Sequence, residues 1–409
     1  MSSGSTSFRP LFSLPVIVAA LGYFVDVYDL LLFNIVRVPS LKDMGLSEVA
    51  ISLEGGRILN IQQAGLLLGG ILWGVLGDKR GRLSVLFGSI ITYSLANIAC
   101  GFVHSPDLYA LLRFVAGLGL AGELGAGITL VSEILPRQLR GYGSSLVAGV
   151  GLFGAVVAYF TVSLFDWRTT YFIGGGLGLG LLLLRVTVLE SALYQQTQQT
   201  SVKRGNFWAL FQNRDRLMRY VWCMGISLPT YFVIGILATF GNEFGKALDL
   251  PDAIQPGRSV MFTYVGMVAG DLLSGPLSQL LLSRRKAIGL MMGLTLVFVL
   301  LYLFGGISST DVFYALCIGM GFGIGYIALF LTVTAESFGT NLRATATTSV
   351  ANNVRATTLL SIPAFQAMKP AIGTLSAGGV IGLICFALAF LSLLKLPETF
   401  GRDLDYSEE

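Results

Sequence analysis

Long apolar runs follow one another along almost the whole chain, separated by short polar segments. A helix of about 20 apolar residues crosses the hydrocarbon layer of a bilayer, where its backbone must satisfy its own hydrogen bonds. Such runs lie at about residues 10–36, 54–77, 83–103, 107–134, 143–165, 169–190, 217–240, 259–282, 287–307, 311–336, 345–368 and 373–394. The pattern therefore predicts an all-α membrane protein with twelve transmembrane helices.

The composition supports this class and excludes most soluble ones. Of the 409 residues, 54% are hydrophobic and 12% are charged, whereas about a quarter of a soluble domain is charged. The mean hydropathy is +0.74. The 51 glycines suit helices that pack closely within a bilayer.

Metal and redox chemistry have no support in the sequence. The four cysteines are scattered singly, and the one histidine, His104, falls in a predicted loop. No pair has the spacing of metal ligands or of a disulfide framework. We therefore expect no metal and no cofactor, and any proton chemistry must rest on carboxylates.

A polar stretch divides the apolar runs into two sets of six. We predict an N-terminal six-helix bundle at 1–190, a cytoplasmic linker at 191–216 and a C-terminal six-helix bundle at 217–409. An internal repeat supports this division, because the segments Glu133–Arg140 and Glu336–Arg343 each begin with Glu and end with Arg. Two pseudo-symmetric halves of this kind favour a central site and a rocking motion.

The basic residues predict how the chain is oriented. Seventeen Lys and Arg residues fall on the side of the predicted termini and seven fall on the opposite side. Because cytoplasmic loops carry an excess of Lys and Arg, both termini should be cytoplasmic. We expect a multi-pass protein of the inner (cytoplasmic) membrane.

The loop after the second predicted helix carries a specific motif. It reads Gly74-Val-Leu-Gly-Asp78-Lys79-Arg80-Gly81-Arg82, which resembles the G-x3-D-[RK]-x-G-R signature of the major facilitator superfamily. The resemblance implies a secondary transporter in which Asp78, Lys79, Arg80 and Arg82 help to close the cytoplasmic side. The alternative is that these basic residues only anchor the topology.

Other segments resemble one branch of that superfamily. They are the fourth-helix segment Arg113–Gly127, the first-helix segment Gly22–Asp29 and the triplet Asp166-Trp167-Arg168. All three resemble the metabolite:proton symporters, and the first-helix D-x-Y-D pattern is also similar to the aromatic-acid:proton symporters. Either resemblance implies proton-coupled uptake of small organic acids or zwitterions.

Three acids of the N-terminal half lie well inside predicted membrane helices. Asp26 and Asp29 are three residues apart in the first helix and so share one helical face, and Glu123 lies in the fourth helix. An ionised side chain in the bilayer is costly unless it is paired or hydrated. We expect these acids to couple transport to protons, with Arg113 near enough to meet Asp29 and to bind substrate. The alternative is a static Asp–Arg bridge.

The eleventh predicted helix carries a second arginine. Arg355, beside Asn352 and Asn353, can bind a substrate carboxylate through its planar set of donors. It can equally pair with Asp271, the lone acid in the eighth helix. We count all four residues among the candidates for substrate binding.

Two further groups complete the candidates. The tyrosines of helices one, seven and ten either line the cavity or pack between helices; they are Tyr23, Tyr28, Tyr231 and Tyr326. Glu133, Arg140, Glu336 and Arg343 flank helix ends and are expected to form a cytoplasmic charge network.

These features favour a proton-coupled importer of a small organic acid or zwitterionic metabolite. The alternative is a proton-coupled exporter of drugs or of a secreted metabolite. An enzyme is not expected, since the sequence contains no nucleophile–base set or phosphate-binding loop. The expected partners are a small-molecule substrate, protons and the lipid bilayer, without nucleic acid, and we expect a monomer.

Overall fold

The computed structural model describes residues 9–80, 82–121, 135, 140–192, 209–339 and 342–401, and every regular element within these ranges is helical. The N-terminal half contains α1 (Leu14–Asp43), α2 (Glu48–Arg80), α3 (Arg82–Cys100), α4 (Pro106–Leu120), α5 (Arg140–Leu152), α6 (Gly154–Leu164) and α7 (Trp167–Ala192). The all-α class predicted from the apolar runs is therefore confirmed for the described residues.

The C-terminal half has more and shorter helices. It contains α8 (Ala209–Gln212), α9 (Arg214–Gly225), α10 (Leu228–Phe232), a π-helical turn (Val233–Ala238), α11 (Gly241–Ala247), α12 (Pro256–Leu280), α13 (Arg284–Phe304), α14 (Thr310–Ile324), α15 (Ile327–Ser337), α16 (Arg343–Arg355), α17 (Thr358–Ile372) and α18 (Thr374–Lys395). Predicted helices seven, ten and eleven are each interrupted, and the short helices α8 and α11 lie outside the predicted runs.

Within the described ranges, six helices are long and apolar enough to cross a membrane. They are Val16–Asp43, Leu146–Leu164, Pro256–Leu280, Arg284–Phe304, Thr310–Ser337 and Thr374–Lys395. The bent pair Arg214–Gly225 and Leu228–Ala238, which turns by 44°, raises the number to seven if it forms one span. A total of twelve spans stays a prediction.

Local sequence explains several helix starts. Ser105 precedes Pro106 and accepts a hydrogen bond from the Leu108 backbone N–H at 3.4 Å. Ser283 accepts one from the Lys286 N–H at 3.1 Å. Both hydroxyls satisfy backbone donors that a helix start leaves open, and a proline at the first position loses no helical hydrogen bond.

Glycines bring pairs of helices into backbone contact. A Cβ on Gly65 or Gly69 of α2 would lie 2.2 or 2.3 Å from the carbonyl oxygen of Phe114 or Leu118 on α4. The C-terminal half repeats this arrangement between α12 and α14 through Gly266. Small residues at such contacts allow the close approach that stabilises helix pairs in membranes.

The two halves meet along a long interface. Helices α1, α5 and α6 of the N-terminal half contact α12, and α2 contacts α16 and α17. Arg37 follows the first predicted apolar run, which ends at about residue 36. It lies inside α1, fully buried, where its guanidinium donates to the Thr239 carbonyl of the other half at 2.9 Å.

Candidate functional site

Arg355 lies at the C-terminal end of α16, where predicted helix eleven is interrupted. Its side chain is buried, and its Nε donates to the Tyr231 hydroxyl at 3.1 Å. Its Nη1 has no hydrogen-bond partner among the residues that the structure describes. A buried cation with an open donor is a suitable place for an anionic ligand, since an unmet charged donor is costly.

Tyr23 of α1 lies near Arg355, on the N-terminal side of the interface between the halves. Its ring packs against α5 at Gly151, where a Cβ would lie 1.7 Å from a ring carbon, so only glycine fits opposite it. Its electrostatic neighbours are Arg355, Tyr231 and Asp271 of the C-terminal half and Asp26 of its own helix. Five predicted site residues from both halves therefore surround one region.

Tyr264 on α12 was not among the residues predicted from the sequence. This tyrosine is buried and has Arg355, Tyr23 and Tyr231 as electrostatic neighbours. It precedes Asp271 by seven residues, which places the two near the same face of α12. That spacing was the available signal, and three tyrosines now surround the Arg355 guanidinium. We define Tyr23, Tyr231, Tyr264 and Arg355 as the central cluster.

Asp271 has a second environment that the sequence did not indicate. Its Oδ1 accepts a hydrogen bond at 2.8 Å from the backbone N–H of Ala328, in the first turn of α15. Helix ten is interrupted just before this turn, at Gly325 and Tyr326. A carboxylate at a helix N-terminus satisfies an open N–H and complements the helix dipole. Asp271 therefore caps α15.

Tyr326 and the two asparagines divide between the interface and the interior of the C-terminal half. The Tyr326 hydroxyl donates at 2.9 Å to the carbonyl of Ile226, at the bend of predicted helix seven. Asn353 Nδ2 donates to the Tyr220 hydroxyl at 2.8 Å, within the same half. Asn352 instead faces α2, with its Nδ2 3.8 Å from a Cβ placed on Gly70. Asn352 alone of these three faces the other half.

The two acids of α1 have different surroundings. Asp26 is buried beside Tyr23, near the central cluster. Asp29 is buried against α7, where a Cβ on Gly174 would lie 2.5 Å from its Oδ1. Tyr28 lies inside the N-terminal half and donates to the Thr170 carbonyl at 3.3 Å. Tyr28 therefore packs between helices of the N-terminal half, away from the central cluster.

Arg113 is buried inside the N-terminal half. It donates to the Oδ1 of Asn97 and lies over the Tyr171 ring, 4.8 Å from its centroid. The Tyr109 and Tyr171 hydroxyls are 2.6 Å apart beside it. Its Nε and Nη1 have no hydrogen-bond partner in the described part of the chain. Asn97 and Tyr171 were not singled out by sequence.

A model of the Major Facilitator Superfamily matches residues 19–362.

The chain belongs to the major facilitator superfamily.

Similar proteins are named as transporters. The cis,cis-muconate transport protein of Acinetobacter baylyi is 28% identical over 418 residues, covering 96% of this chain and 94% of that protein. The gentisate transporter of Corynebacterium glutamicum is 25% identical, covering 78% and 73%. The niacin transporter NiaP of A. baylyi is 35% identical over 162 residues, covering 39% and 36%. This major facilitator superfamily protein is a transporter and not an enzyme.

In this major facilitator protein, the side chains of most predicted cytoplasmic gate residues lie outside the part that the structure describes. Glu123 and Glu133 lie outside the described residues, and for Asp78, Lys79, Arg80, Arg82 and Arg140 only the helical backbone is described. Their roles stay predictions.

The corresponding part of the C-terminal half is described. Glu336 pairs with Arg284 at 3.1 Å, and Thr399 Oγ1 donates to the other oxygen of Glu336 at 2.6 Å. Arg343 Nε donates to the carbonyls of Ala335 at 2.9 Å and Phe338 at 3.2 Å. These bonds join α13, α15 and the segment after α18 within one half of this superfamily member.

Proposed function

We propose that this protein takes up a small organic acid, aromatic or unsaturated, together with protons, and that the acid binds at the central cluster. The single observation that carries the proposal is the buried Arg355, whose Nη1 is open and whose Nε is held by Tyr231. Similar proteins are named for muconate, gentisate, benzoate and niacin. Each of these is a carboxylic acid or its anion, which supports the substrate class.

The chemistry of the cluster suits such a substrate. A guanidinium presents planar donors that match a carboxylate. The rings of Tyr23, Tyr231 and Tyr264 offer apolar surface to a flat unsaturated skeleton, and aromatic pairs contribute about 0.5–1.5 kcal/mol beyond their buried area. Asn352, which faces α2, adds a side-chain amide at the edge of the interface.

Proton coupling is assigned to the membrane acids. Asp26 lies beside Tyr23, next to the proposed substrate site. A bound anion there would change the proton affinity of the Asp26 carboxyl group. Asp29 lies against α7 in the interior that also holds Arg113. A carboxyl that exchanges water for an arginine partner changes its proton affinity. Glu123 is proposed as a third carrier on its sequence position.

The transport cycle is proposed to be alternating access. The bundles at 1–190 and 217–409 would rock about the central cluster, in the manner of parallel repeats. Twelve spans, cytoplasmic termini, an inner-membrane location and a monomer complete the proposal, on the basis of the apolar runs and the basic residues.

Uptake by proteoliposomes tests the proposal. With an inside-alkaline pH gradient, the wild type should accumulate labelled benzoate or gentisate. Replacing Arg355 with Gln removes a charged donor, and hydrogen bonds to charged groups contribute about 1.5–3 kcal/mol. Uptake at low substrate should therefore fall by about tenfold or more. Arg355→Lys should restore part of it, because the charge remains without the planar donors.

Arg258→Gln is the matched control. Arg258 is an exposed arginine on α12, beside the Tyr314 ring, and its loss should leave uptake unchanged. Full uptake by the Arg355→Gln protein would overturn the substrate assignment. Full proton-driven uptake by both Asp26→Asn and Asp29→Asn would overturn the coupling assignment. Export of hydrophobic cations without acid uptake would replace the importer with the exporter.

A further inference from the structure

Polar side chains from both halves converge at one end of the molecule, where α1 runs into α2 and α17 into α18. They lie on both sides of the interface, far along each helix from the central cluster. We define the distal network as Asn34, Arg37, Ser52, Thr239, Asn242, Glu243, Gln366 and Lys369. None of these residues belongs to the proposed substrate or proton sites.

Arg37 is the main contribution of the N-terminal half. It is fully buried, and its Nη2 donates to the Thr239 carbonyl at 2.9 Å and to Asn242 Oδ1 at 3.3 Å. Its guanidinium lies 4.2 Å from the centroid of the Phe240 ring, and its Nη1 is 3.9 Å from Glu243 Oε1. Every one of these partners lies in the C-terminal half.

Glu243 is the acceptor that Arg37, Ser52 and Lys369 share. Its Oε1 accepts from Ser52 Oγ at 2.7 Å, and its Oε2 pairs with Lys369 Nζ. Lys369 also donates to Ser52 Oγ at 2.9 Å, and Gln366 Nε2 donates to the Ser52 carbonyl at 3.2 Å. One carboxylate, only 16% exposed, is therefore held by a cation from each half and by a hydroxyl of α2.

The backbone of α2 makes room for this arrangement. A Cβ on Gly55 would lie 2.6 Å from Cδ of Arg37, and one on Gly56 would lie 3.3 Å from Nε2 of Gln366. Two adjacent glycines thus let both side chains pass close to α2. The network is a packed part of the interface and not a loose surface contact.

These bonds cannot survive a separation of the halves at this end. Removing one partner of a buried ion pair leaves an uncompensated charge and is strongly destabilising. We propose that the distal network is a lock that holds this end closed, with Glu243 as its central acceptor and Arg37 as the residue that ties the N-terminal half to it. The lock concerns only the conformational equilibrium, so it does not depend on which substrate is carried.

The same end supplies a matched control. Lys246 and Glu48 form an ion pair between the halves, at 2.5 Å, but both side chains are largely exposed, at 62% and 83%. Exposed pairs contribute little because water screens them. If substitutions in this exposed pair leave the halves closed, the opening requires the loss of a charge from the distal network and not of any charge at this end.

Double electron–electron resonance between two spin labels measures the separation of the halves at this end directly. Labels at Val49 on α2 and Ile372 at the end of α17 report on the two halves, since both side chains are exposed. Of the native cysteines, Cys385 is the half-buried one and is replaced by Ser; Cys100, Cys223 and Cys317 are buried. The wild type should show a short-distance population in nanodiscs without substrate.

Arg37→Gln and Glu243→Gln should each enlarge the longer-distance population by about threefold or more. Glu48→Gln and Lys246→Gln should leave it within about twofold of the wild type. The double variant Glu243→Gln with Lys369→Gln should open no further than Glu243→Gln alone, because partners in one network are not additive. Ser52→Ala is a milder variant, and it should enlarge the same population by a smaller factor.

An unchanged distance distribution in Arg37→Gln, Glu243→Gln and Ser52→Ala, each with a cooperative thermal transition, would overturn the lock. Equal opening by the exposed control pair would overturn it as well. Because no substrate is added, a failure of the uptake assay with Arg355 variants leaves this result intact, and the reverse also holds.

Discussion

At the scale of single residues, Asp271 shows how a membrane acid acquires a role that its sequence position does not reveal. The sequence places it beside Arg355 as a partner or a substrate contact. In the structure its carboxylate accepts from the Ala328 N–H at the start of α15. The Arg355 Nε meanwhile donates to Tyr231. With Asp271 bonded to α15, Arg355 keeps an open Nη1 for the proposed anionic substrate.

A pair of substitutions tests the Asp271 cap. Asp271→Ala removes the acceptor, and loss of a capping side chain costs about 0.5–2 kcal/mol, so the melting temperature should fall. Asp271→Asn keeps an oxygen acceptor and should melt close to the wild type and retain uptake. Thermal unfolding and proteoliposome uptake measure the two effects. Loss of uptake in a normally folded Asn variant would instead make Asp271 a substrate or coupling residue.

Glu398 is a second residue whose surroundings affect stability. Burial alone would raise the pKa of Glu398, but hydrogen bonds from the Ser283 hydroxyl and from the backbone N–H groups of Phe400, Arg284 and Arg285 outweigh it and lower that pKa. The carboxylate lies at the N-terminal end of α13, where a negative charge is favourable. The ionised form is therefore the one that stabilises the fold.

The pH dependence follows from the sign of this shift. A lowered pKa gives stability that is present above the ordinary Glu value of about 4.3 and is lost as pH falls through the lowered value. The wild type should therefore melt at a higher temperature than Glu398→Gln at pH 7, and the difference should shrink as pH falls below about 4. Melting curves over this range measure it. A constant difference at all pH values would contradict the assignment.

At the scale of elements, both halves use glycines to bring helices into contact. Gly65 and Gly69 of α2 approach α4, and Gly266 and Gly270 of α12 approach α14 with the same four-residue spacing. In each case the nearest atom to an added Cβ is a backbone carbonyl oxygen. Backbone moves less readily than a side chain, so these contacts tolerate no larger residue.

Gly266→Ala tests the helix contact. Its Cβ would lie 2.0 Å from the Ile318 carbonyl oxygen on α14, and overpacking of this kind costs about 1–3 kcal/mol. The melting temperature of the purified protein should therefore fall. Gly293→Ala on α13 is the control, because nothing lies within 4 Å of its added Cβ and alanine is the better helix former. Equal melting temperatures for both variants would contradict the prediction.

The interruptions of the C-terminal helices are also features of elements. Predicted helix seven bends by 44°, helix ten breaks at Gly325 and Tyr326, and helix eleven is interrupted after Arg355. The Tyr326 hydroxyl bonds the Ile226 carbonyl and so joins the first two interruptions. Such breaks are tolerated in membranes where neighbouring groups satisfy the freed backbone.

At the scale of the whole molecule, the orientation remains a prediction from the basic residues. If both termini are cytoplasmic, a green fluorescent protein fused to either end should fluoresce, while an alkaline phosphatase at the same ends should be inactive. Insertion of the phosphatase at Asp252, between α11 and α12, should be active instead, because the positive-inside rule places this loop outside. Active phosphatase at either terminus would reverse the topology.

Part of the candidate site could be predicted from the sequence. Asp26, Tyr23, Tyr231 and Arg355 were singled out as membrane charges or cavity tyrosines, and the structure places them around one region. Tyr264 was missed, since one tyrosine among many apolar residues gives no signal by itself. Tyr28 and Tyr326 look the same as Tyr23 in the sequence, yet both donate to backbone carbonyls inside one half.

The sequence by itself determined the all-helical class, the internal repeat and the family. Each follows from local properties, because apolar length, residue spacing and a motif do not depend on distant contacts. The tertiary structure alone decided that Arg37 is buried in α1 and meets Glu243 of the other half, that Asp271 caps α15, and which tyrosines surround Arg355. The physical reason is that a buried charge is stable only beside partners that satisfy it, and those partners lie on helices far apart in the chain.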